Sequence, residues 1–373
     1  MNRREGNKSL GEPLQQVERT FVLRRGRKLC YFGGCDYFRL SSHPAVLAAM
    51  REGLEEFGLN VAASRKTTGN HPLYEKLEAA LAAFFGVDAA VLVSNGYLAN
   101  LVVAQALAGD FTHALIDERA HASLFDAAAA APGCRLMPFK HRDAADARRA
   151  ARVAGRRARL LLLTDGLFSH SGQVAPLGDY LRLLPKNTVL LVDDAHGAGT
   201  LGRQCRGTVE WLGVSEERII QTVTLSKAFG VYGGAVLGSR RLRDRIVSRS
   251  RLFTGNTPLP PPLANAALMA LQVVRADARM RRRLLVNTRY VKAAFDEAGF
   301  PATDGPGPIV AIEPRGARHA ESLRRRLLAH GIHPPLIHYL GGPASGYFRF
   351  AISSEHSAEQ LDALARCIGT VKR

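Results

Sequence analysis

The chain has 373 residues, 46% hydrophobic and 23% charged, with a formal net charge of +18. That length suits two domains, and the composition excludes a disordered or fibrous chain. No apolar run approaches the roughly 18 residues of a membrane span, and five scattered cysteines (Cys30, Cys35, Cys134, Cys205, Cys367) fit neither a disulfide framework nor a zinc site, so a reducing cytoplasm is expected.

Residues 1–8 are polar and basic with no apolar segment behind them, so no secretory signal is expected. Charge of this size attracts polyanions in principle. Its densest stretches, 148–159, 240–251 and 279–283, have helical spacing, however, and read as solvated helix faces. No nucleic-acid-binding motif accompanies them, and nucleic acid is not an expected partner.

From about residue 74 helices and strands alternate. Helical spacing covers 74–85, 98–108 and 144–154. Strand-length apolar runs cover 89–93, 113–116, 159–164, 188–193, 219–224 and 234–238. This alternation predicts an α/β fold with a mainly parallel sheet covered on both faces. A proline-rich stretch at 258–262 closes the region, and one long helical pattern runs from 264 to about 298. Strands at 309–312 and 348–352 and helices at 320–330 and 358–368 then predict a smaller α+β unit. The expected division is an N-terminal arm (1–40), a large domain (41–262), and a linking helix with a small C-terminal domain (263–373).

Parallel sheets place their chemistry on loops beyond the carboxyl ends of the strands, and the informative residues follow the apolar runs. Ser94-Asn95-Gly96-Tyr97 follows 89–93 and opens a helix, a turn able to offer backbone N–H groups to an anion. His121, in Asp117-Glu-Arg-Ala-His121-Ala-Ser123, could stack on a flat ring, although a lone histidine is more often structural. Asp193 and Asp194 end a strand in Leu191-Val-Asp-Asp-Ala-His196-Gly197, where adjacent acids are costly unless one meets a cation; a helix N-cap is the plainer alternative for Asp193. Lys227, in Thr222-Val-Thr224-Leu-Ser-Lys227-Ala-Phe-Gly230, stands just after a strand, as a solvated cap or as a desolvated amine that attacks carbonyl carbon. An aspartate facing a pyridine nitrogen, together with a Schiff-base lysine, is the signature of pyridoxal phosphate (PLP) enzymes.

These motifs, in order, resemble the α-oxoamine synthases, a branch of the fold-type I PLP-dependent enzymes. The resemblance runs from about Tyr37 to the C-terminus through Ser41-Ser42-His43-Pro44, Ser64-Arg65, Gly69-Asn70-His71 with Glu75 and Glu78, Phe168-Ser169 ending in Ala175-Pro176-Leu177, and the four blocks above. It implies that Lys227 holds PLP as a Schiff base and later removes the substrate α-proton, while Asp193 keeps the ring nitrogen protonated. By the same resemblance His121 stacks on the ring, and His196 and Ser169 lie near its hydroxyl. Gly96, Tyr97 and Thr224 bind the phosphate, and Thr254 reaches it from the neighbouring subunit of a homodimer. Arg349, in Tyr347-Phe-Arg349-Phe-Ala, matches the arginine that grips the substrate carboxylate. The implied reaction condenses an amino acid with an acyl thioester, on CoA or acyl carrier protein, with loss of CO2, to an α-amino ketone. An aminotransferase, racemase or decarboxylase on the same fold, or a non-catalytic family subunit, is the alternative.

The departures bear on substrate. Where the family reads Asn-Tyr-Leu-Gly this chain has Asp36-Tyr37-Phe38-Arg39, leaving Cys35 or Asp36 to meet the substrate. Asn60-Val61-Ala62-Ala63 replaces a glycine-rich approach, His170 follows Ser169 in place of Met, and His333 stands where biotin-pathway members carry Arg, so that pathway is not assigned.

Overall fold

The computed structural model describes residues 11–131, 133–300, 305–338, 343 and 345–369. The basic stretch 1–8 lies outside them.

Thirteen strands among the described residues form three sheets. Strands β1 (Gln15–Val17), β2 (Phe21–Arg24) and β3 (Arg27–Cys30) make an antiparallel meander. The central sheet has seven strands: β4 (Ala89–Val93), β5 (His113–Asp117), β6 (Arg135–Phe139), β7 (Leu160–Asp165), β8 (Val189–Asp193), β9 (Ile219–Thr224) and β10 (Gly234–Gly238). Their order is β4-β10-β9-β8-β7-β5-β6, parallel except for β10, which runs antiparallel to both neighbours. Strands β11 (Ile309–Ile312), β12 (Leu336–Ile337) and β13 (Tyr347–Ala351) form a small antiparallel sheet in the order β11-β13-β12.

The central strands read as apolar because helices cover both of their faces. All six residues of β7 are buried, and separate apolar clusters fill the two sides of the sheet. Helices α1 (Pro44–Phe57) and α2 (Pro72–Phe85) pack against the helix Pro261–Ala276, extending the core around β4 and β10. Helices α3 (Gly96–Ala106) and α4 (Ala122–Ala129) follow β4 and β5. The meander joins the small sheet: Cys30 and Phe32 pack with Phe348, Phe350 and Ile352, and Cys30 pairs with Ile332.

Strand β6 escapes the apolar-run criterion. Its sequence, Arg-Leu-Met-Pro-Phe, contains a proline and is mostly exposed, both tolerated because it is the edge strand. The helical pattern from 264 to 298 is two helices, Pro261–Ala276 and Ala278–Glu297, not one. Asp277 separates them because its carboxylate accepts from Met280 N (2.8 Å) and caps the second. Among the described residues, no helix is long and apolar enough to cross a membrane.

Candidate active site

The C-terminal ends of β7, β8 and β9 and the first turns of α3 and α4 converge on a cavity of about 250 Å³. Gly96, Tyr97, His121, Asp193, His196, Thr224 and Lys227 all line it, together with Asn95, Ser123, Asp165, Ala195 and Tyr232.

Strand register places the acids. Asp193 pairs with Asp165 on one side and Thr222 on the other, so both carboxylates reach the same end of the sheet. Asp193 Oδ2 accepts from Asn100 Nδ2 (2.7 Å) and Ser123 Oγ (3.4 Å), and Oδ1 accepts from Ala195 N (3.1 Å). Thr222 Oγ1 in turn donates to Asn100 Oδ1 (2.6 Å), which fixes the amide that holds the carboxylate. Asp193 therefore satisfies its own turn, as a cap does, and still presents a buried anion to the cavity. Asp194 points elsewhere. It accepts from Thr208 N (2.7 Å), Thr208 Oγ1 (2.6 Å) and Gln221 Nε2 (2.7 Å), and burial pushes it up to about 7 against those donors.

Burial lowers the Lys227 amine below its ordinary value, opposed by charge on Cys35, Asp193 and Asp165. It forms no hydrogen bond or ion pair with the described residues. A lowered ammonium pKa raises the share of free amine, the form that attacks a carbonyl. His121 caps α4 through Nδ1, which accepts from Ser123 N (3.3 Å), and the His121 backbone N–H donates to Asp165 Oδ2 (2.8 Å). Burial lowers its pKa, in keeping with a neutral, accepting Nδ1. His196 is held further below its usual range by burial and by the Lys227 and Arg349 charges. Its Nδ1 lies 2.7 Å from the Tyr37 hydroxyl. Asp165 is raised well above the carboxylate range, first by burial and then by Asp193 beside it.

The fit to a phosphorylated pyridine is direct. A Cβ on Gly96 would lie 2.8 Å from Thr224 Cβ, and one on Gly234 would lie 2.5 Å from the Asn95 carbonyl carbon. Both glycines therefore let the start of α3 close on the ends of β9 and β10. The first-turn N–H groups of α3 have no partner within the helix and form an anion cradle. Asn95 caps the same helix by accepting from Leu98 N (3.0 Å). Amine, buried acid and cradle are what PLP requires of a protein.

Arg349, on β13, does not itself line the cavity. Its charge acts on both Lys227 and His196, and Nη2 lies 3.7 Å from Cys35 Sγ. Ser169 and Thr254 do not line the cavity. Ser169 sits on the turn before His170, whose ring packs on Tyr347 at 4.2 Å and whose Nε2 is 3.3 Å from Glu313 Oε1. Thr254 ends the short helix Arg251–Thr254, where its carbonyl accepts from Ser64 Oγ.

A model of the aminotransferase class I and II family matches residues 32–368. The chain belongs to that family, in its α-oxoamine synthase branch. It is 36% identical over 362 residues to the 8-amino-7-oxononanoate synthase of Methylococcus capsulatus, covering 95% of this chain and 92% of that protein. It is 37% identical over 353 residues to that of Methylobacterium nodulans, covering 92% and 87%. A solved serine palmitoyltransferase of S. paucimobilis, with a bound PLP–myriocin adduct, superposes with a TM-score of 0.89 at 26% identity, covering 95% and 90%. The fold is that of the fold-type I PLP transferases, PLP is the cofactor, and the chain is a PLP-dependent acyltransferase.

The departures have structural explanations. The Asp36 carboxylate accepts from Leu40 N (2.9 Å) and Ser41 N (3.0 Å), capping a 3-10 turn, while Cys35 Sγ lies 3.7 Å from Arg349 Nη2. Arg39 (φ 54°) and Ala62 (φ 50°) occupy left-handed backbone, the conformation that favours glycine. Ala63 gives its carbonyl to a tight fold-back, 2.1 Å from where a Cβ on Gly69 would stand. His333 hangs on Cys30 O through its backbone N–H (2.9 Å), outside the cavity lining.

Asp165 and Tyr37 have no role in the motif reading, and Cys35 enters it only as the alternative to Asp36 at the substrate. Asp165 carried the same signal as Asp193, an acid closing an apolar strand. Tyr37 carries none, since its loop is brought in by the small sheet.

Proposed function

We propose that this acyltransferase, which joins an amino acid to an acyl thioester and releases CO2 and free thiol, runs that reaction in the 250 Å³ cavity. The observation that carries the assignment is the Lys227 amine, lowered by burial, in one cavity with the hydrogen-bonded Asp193 carboxylate and the neutral His121 ring. PLP, when bound, supplies the electron sink for the substrate carbanion. Lys227 would hold it through Nζ and, as a free amine, would take the substrate α-proton. Asp193 keeps a proton on the pyridine nitrogen. Gly96, Tyr97 and Thr224 would receive the phosphate, His121 would close one side of the ring, and His196 would tune its hydroxyl. Arg349 grips the α-carboxylate with its planar fork.

Thr254, which does not line its own cavity, serves the phosphate of the neighbouring subunit, and the working form is a homodimer. The five cysteines are free thiols, which fits work in the cytoplasm.

The relatives' product name also points to substrates. 8-Amino-7-oxononanoate carries its amine and a terminal methyl next to the ketone, the fragment that alanine leaves after losing CO2. L-Alanine is the first amino acid to test, with acyl-CoA and acyl carrier protein donors of varied chain length. Visible absorbance of the holoenzyme is followed during the amino-acid titration, and thiol release after adding donor. Thiol release that requires both substrates supports the reading. An absorbance response with no thiol from any donor overturns it.

A further inference from the structure

We propose that the end of the central sheet remote from the catalytic cavity holds a second ligand site, for a nucleotide polyphosphate: the base lies in an apolar hollow and the phosphates lie on the arginines around it.

Two of the densest basic runs in the sequence, 148–159 and 240–251, meet at this end. Asp110 is the meeting point. Arg159 Nε donates to its carbonyl (2.6 Å), its carboxylate pairs with Arg245, and Arg249 adds its charge. Beside it opens a cavity of about 250 Å³, as large as the catalytic one. Leu107, Phe111, Val189, Ile219 and Leu242 form its floor, and Arg241 and Arg245 line it with Asp110 and Glu217. Strands β8 and β9 serve both cavities: Val189 and Ile219 line this one, Asp193 and Thr224 the catalytic one. The length of β8, about 13 Å, separates them.

Charge and shape together select the ligand. Arg241 and Arg249 are exposed and form no hydrogen bond or ion pair with the described residues. Like charges gathered in one place repel unless an anion joins them. Of the carboxylates here, Asp110 is already paired, which leaves Glu217 against Arg159, Arg241, Arg245 and Arg249. Each guanidinium fork matches two oxygens of a carboxylate or phosphate. A lone carboxylate satisfies one fork, whereas a polyphosphate offers oxygens to several. The apolar floor calls for a flat, weakly polar group attached to that anion, and a nucleotide carries both. Glu217 suits the exocyclic amine of an adenine base, which donates to a carboxylate.

The test uses the holoenzyme and ATP as the probe. Titration calorimetry should show ATP binding at least about tenfold tighter than inorganic tripolyphosphate, since only ATP fills the hollow. Arg241→Ala and Arg249→Ala should each weaken ATP about tenfold, the effect of losing one hydrogen bond to a charged group. Both side chains are exposed and unpaired, so folding, kcat and the KM for acyl donor should stay as in the parent. Irradiation with azido-ATP should label peptides containing 107–111, 217–220 or 238–245, read by mass spectrometry. Equal affinity for ATP and tripolyphosphate overturns the proposal, as does unchanged ATP binding in both variants. Labelling confined to the catalytic cavity, at Gly96 or His121, does the same. Duplex DNA that binds more tightly than ATP and displaces it would make this a nucleic-acid face instead.

Discussion

The two sides of the cavity are built by different means. On the cofactor side, Asp165, Asp193 and Thr222 sit in register on adjacent parallel strands, and Asn100, Ser123 and His121 complete a closed hydrogen-bond network behind them. On the substrate side, Cys35, His170 and Arg349 come from a loop, a turn and a short strand, with Cys35 and Arg349 separated by 314 residues in sequence. Strand register places side chains by the repeat of the backbone itself, so each of those positions is supported several times over. Loop positions depend on a few individual contacts. Cys35 and His170, two of the departures from the family pattern, stand on this second side, where the framework constrains them least.

The largest expected effect breaks the cofactor side. Lys227→Ala should lose turnover by at least about 10³-fold, because nucleophile and proton carrier are removed together. The fold should be retained, since the amine has no hydrogen bond or ion pair among the described residues. The check is turnover beside thermal unfolding. A variant as active as the parent would dismiss the lysine from the chemistry.

The neighbouring aspartates sharpen the same contrast. Asp194→Ala strands three buried donors from Thr208 and Gln221, a cost of about 4 kcal/mol of stability. Asp193→Asn keeps the size and most of the partners of its side chain, and should lose activity by about 10²-fold with a much smaller change in stability. Denaturant titration and steady-state rates distinguish them, and equal stability losses in both would erase the division of labour.

On the substrate side, pH is the lever. His356 is buried and neutral: Nδ1 accepts from Ser353 N (3.0 Å) and Nε2 faces Tyr31 O (3.1 Å), holding the loop that carries Cys35. Burial lowers it from 6.5 to about 3. A folded-state value below the unfolded one contributes stability that is complete above about pH 6.5 and is lost as pH falls toward 3. Between pH 7 and pH 5 the loss is about 2 kcal/mol. His356→Gln should flatten that part of the stability profile, and an equally steep profile in the variant would assign the acid sensitivity elsewhere.

The same division governs what the chain discloses before folding. Lys227, Asp193 and His121 each follow an apolar run, so alternation alone placed them at one edge of one sheet. Asp165 carries that signal as well, directly after the run 159–164. Strand β6 hid behind Arg135 and Pro138, which only an edge position permits. The meander's union with the small sheet depends on contacts such as Cys30 with Ile332, about 300 residues apart. No local pattern encodes such a pairing, and it sets the course of the loop that carries Cys35.

The smallest effect concerns Arg39, which adopts φ 54° and ψ 36° while buried. Its Nη2 donates to Tyr31 O (3.1 Å) and its guanidinium lies 5.6 Å from the Tyr31 ring centre. Left-handed backbone costs a non-glycine residue about 1 kcal/mol. The hydrogen bond and the cation–π contact return about that much. Arg39→Gly exchanges one for the other and should stay within about 1 kcal/mol of the parent. Arg39→Ala loses the contacts and keeps the backbone cost, so it should be about 1 kcal/mol less stable than Arg39→Gly. If alanine matches glycine in denaturant titration, the backbone there is not strained, and the loop is held by side-chain contacts alone.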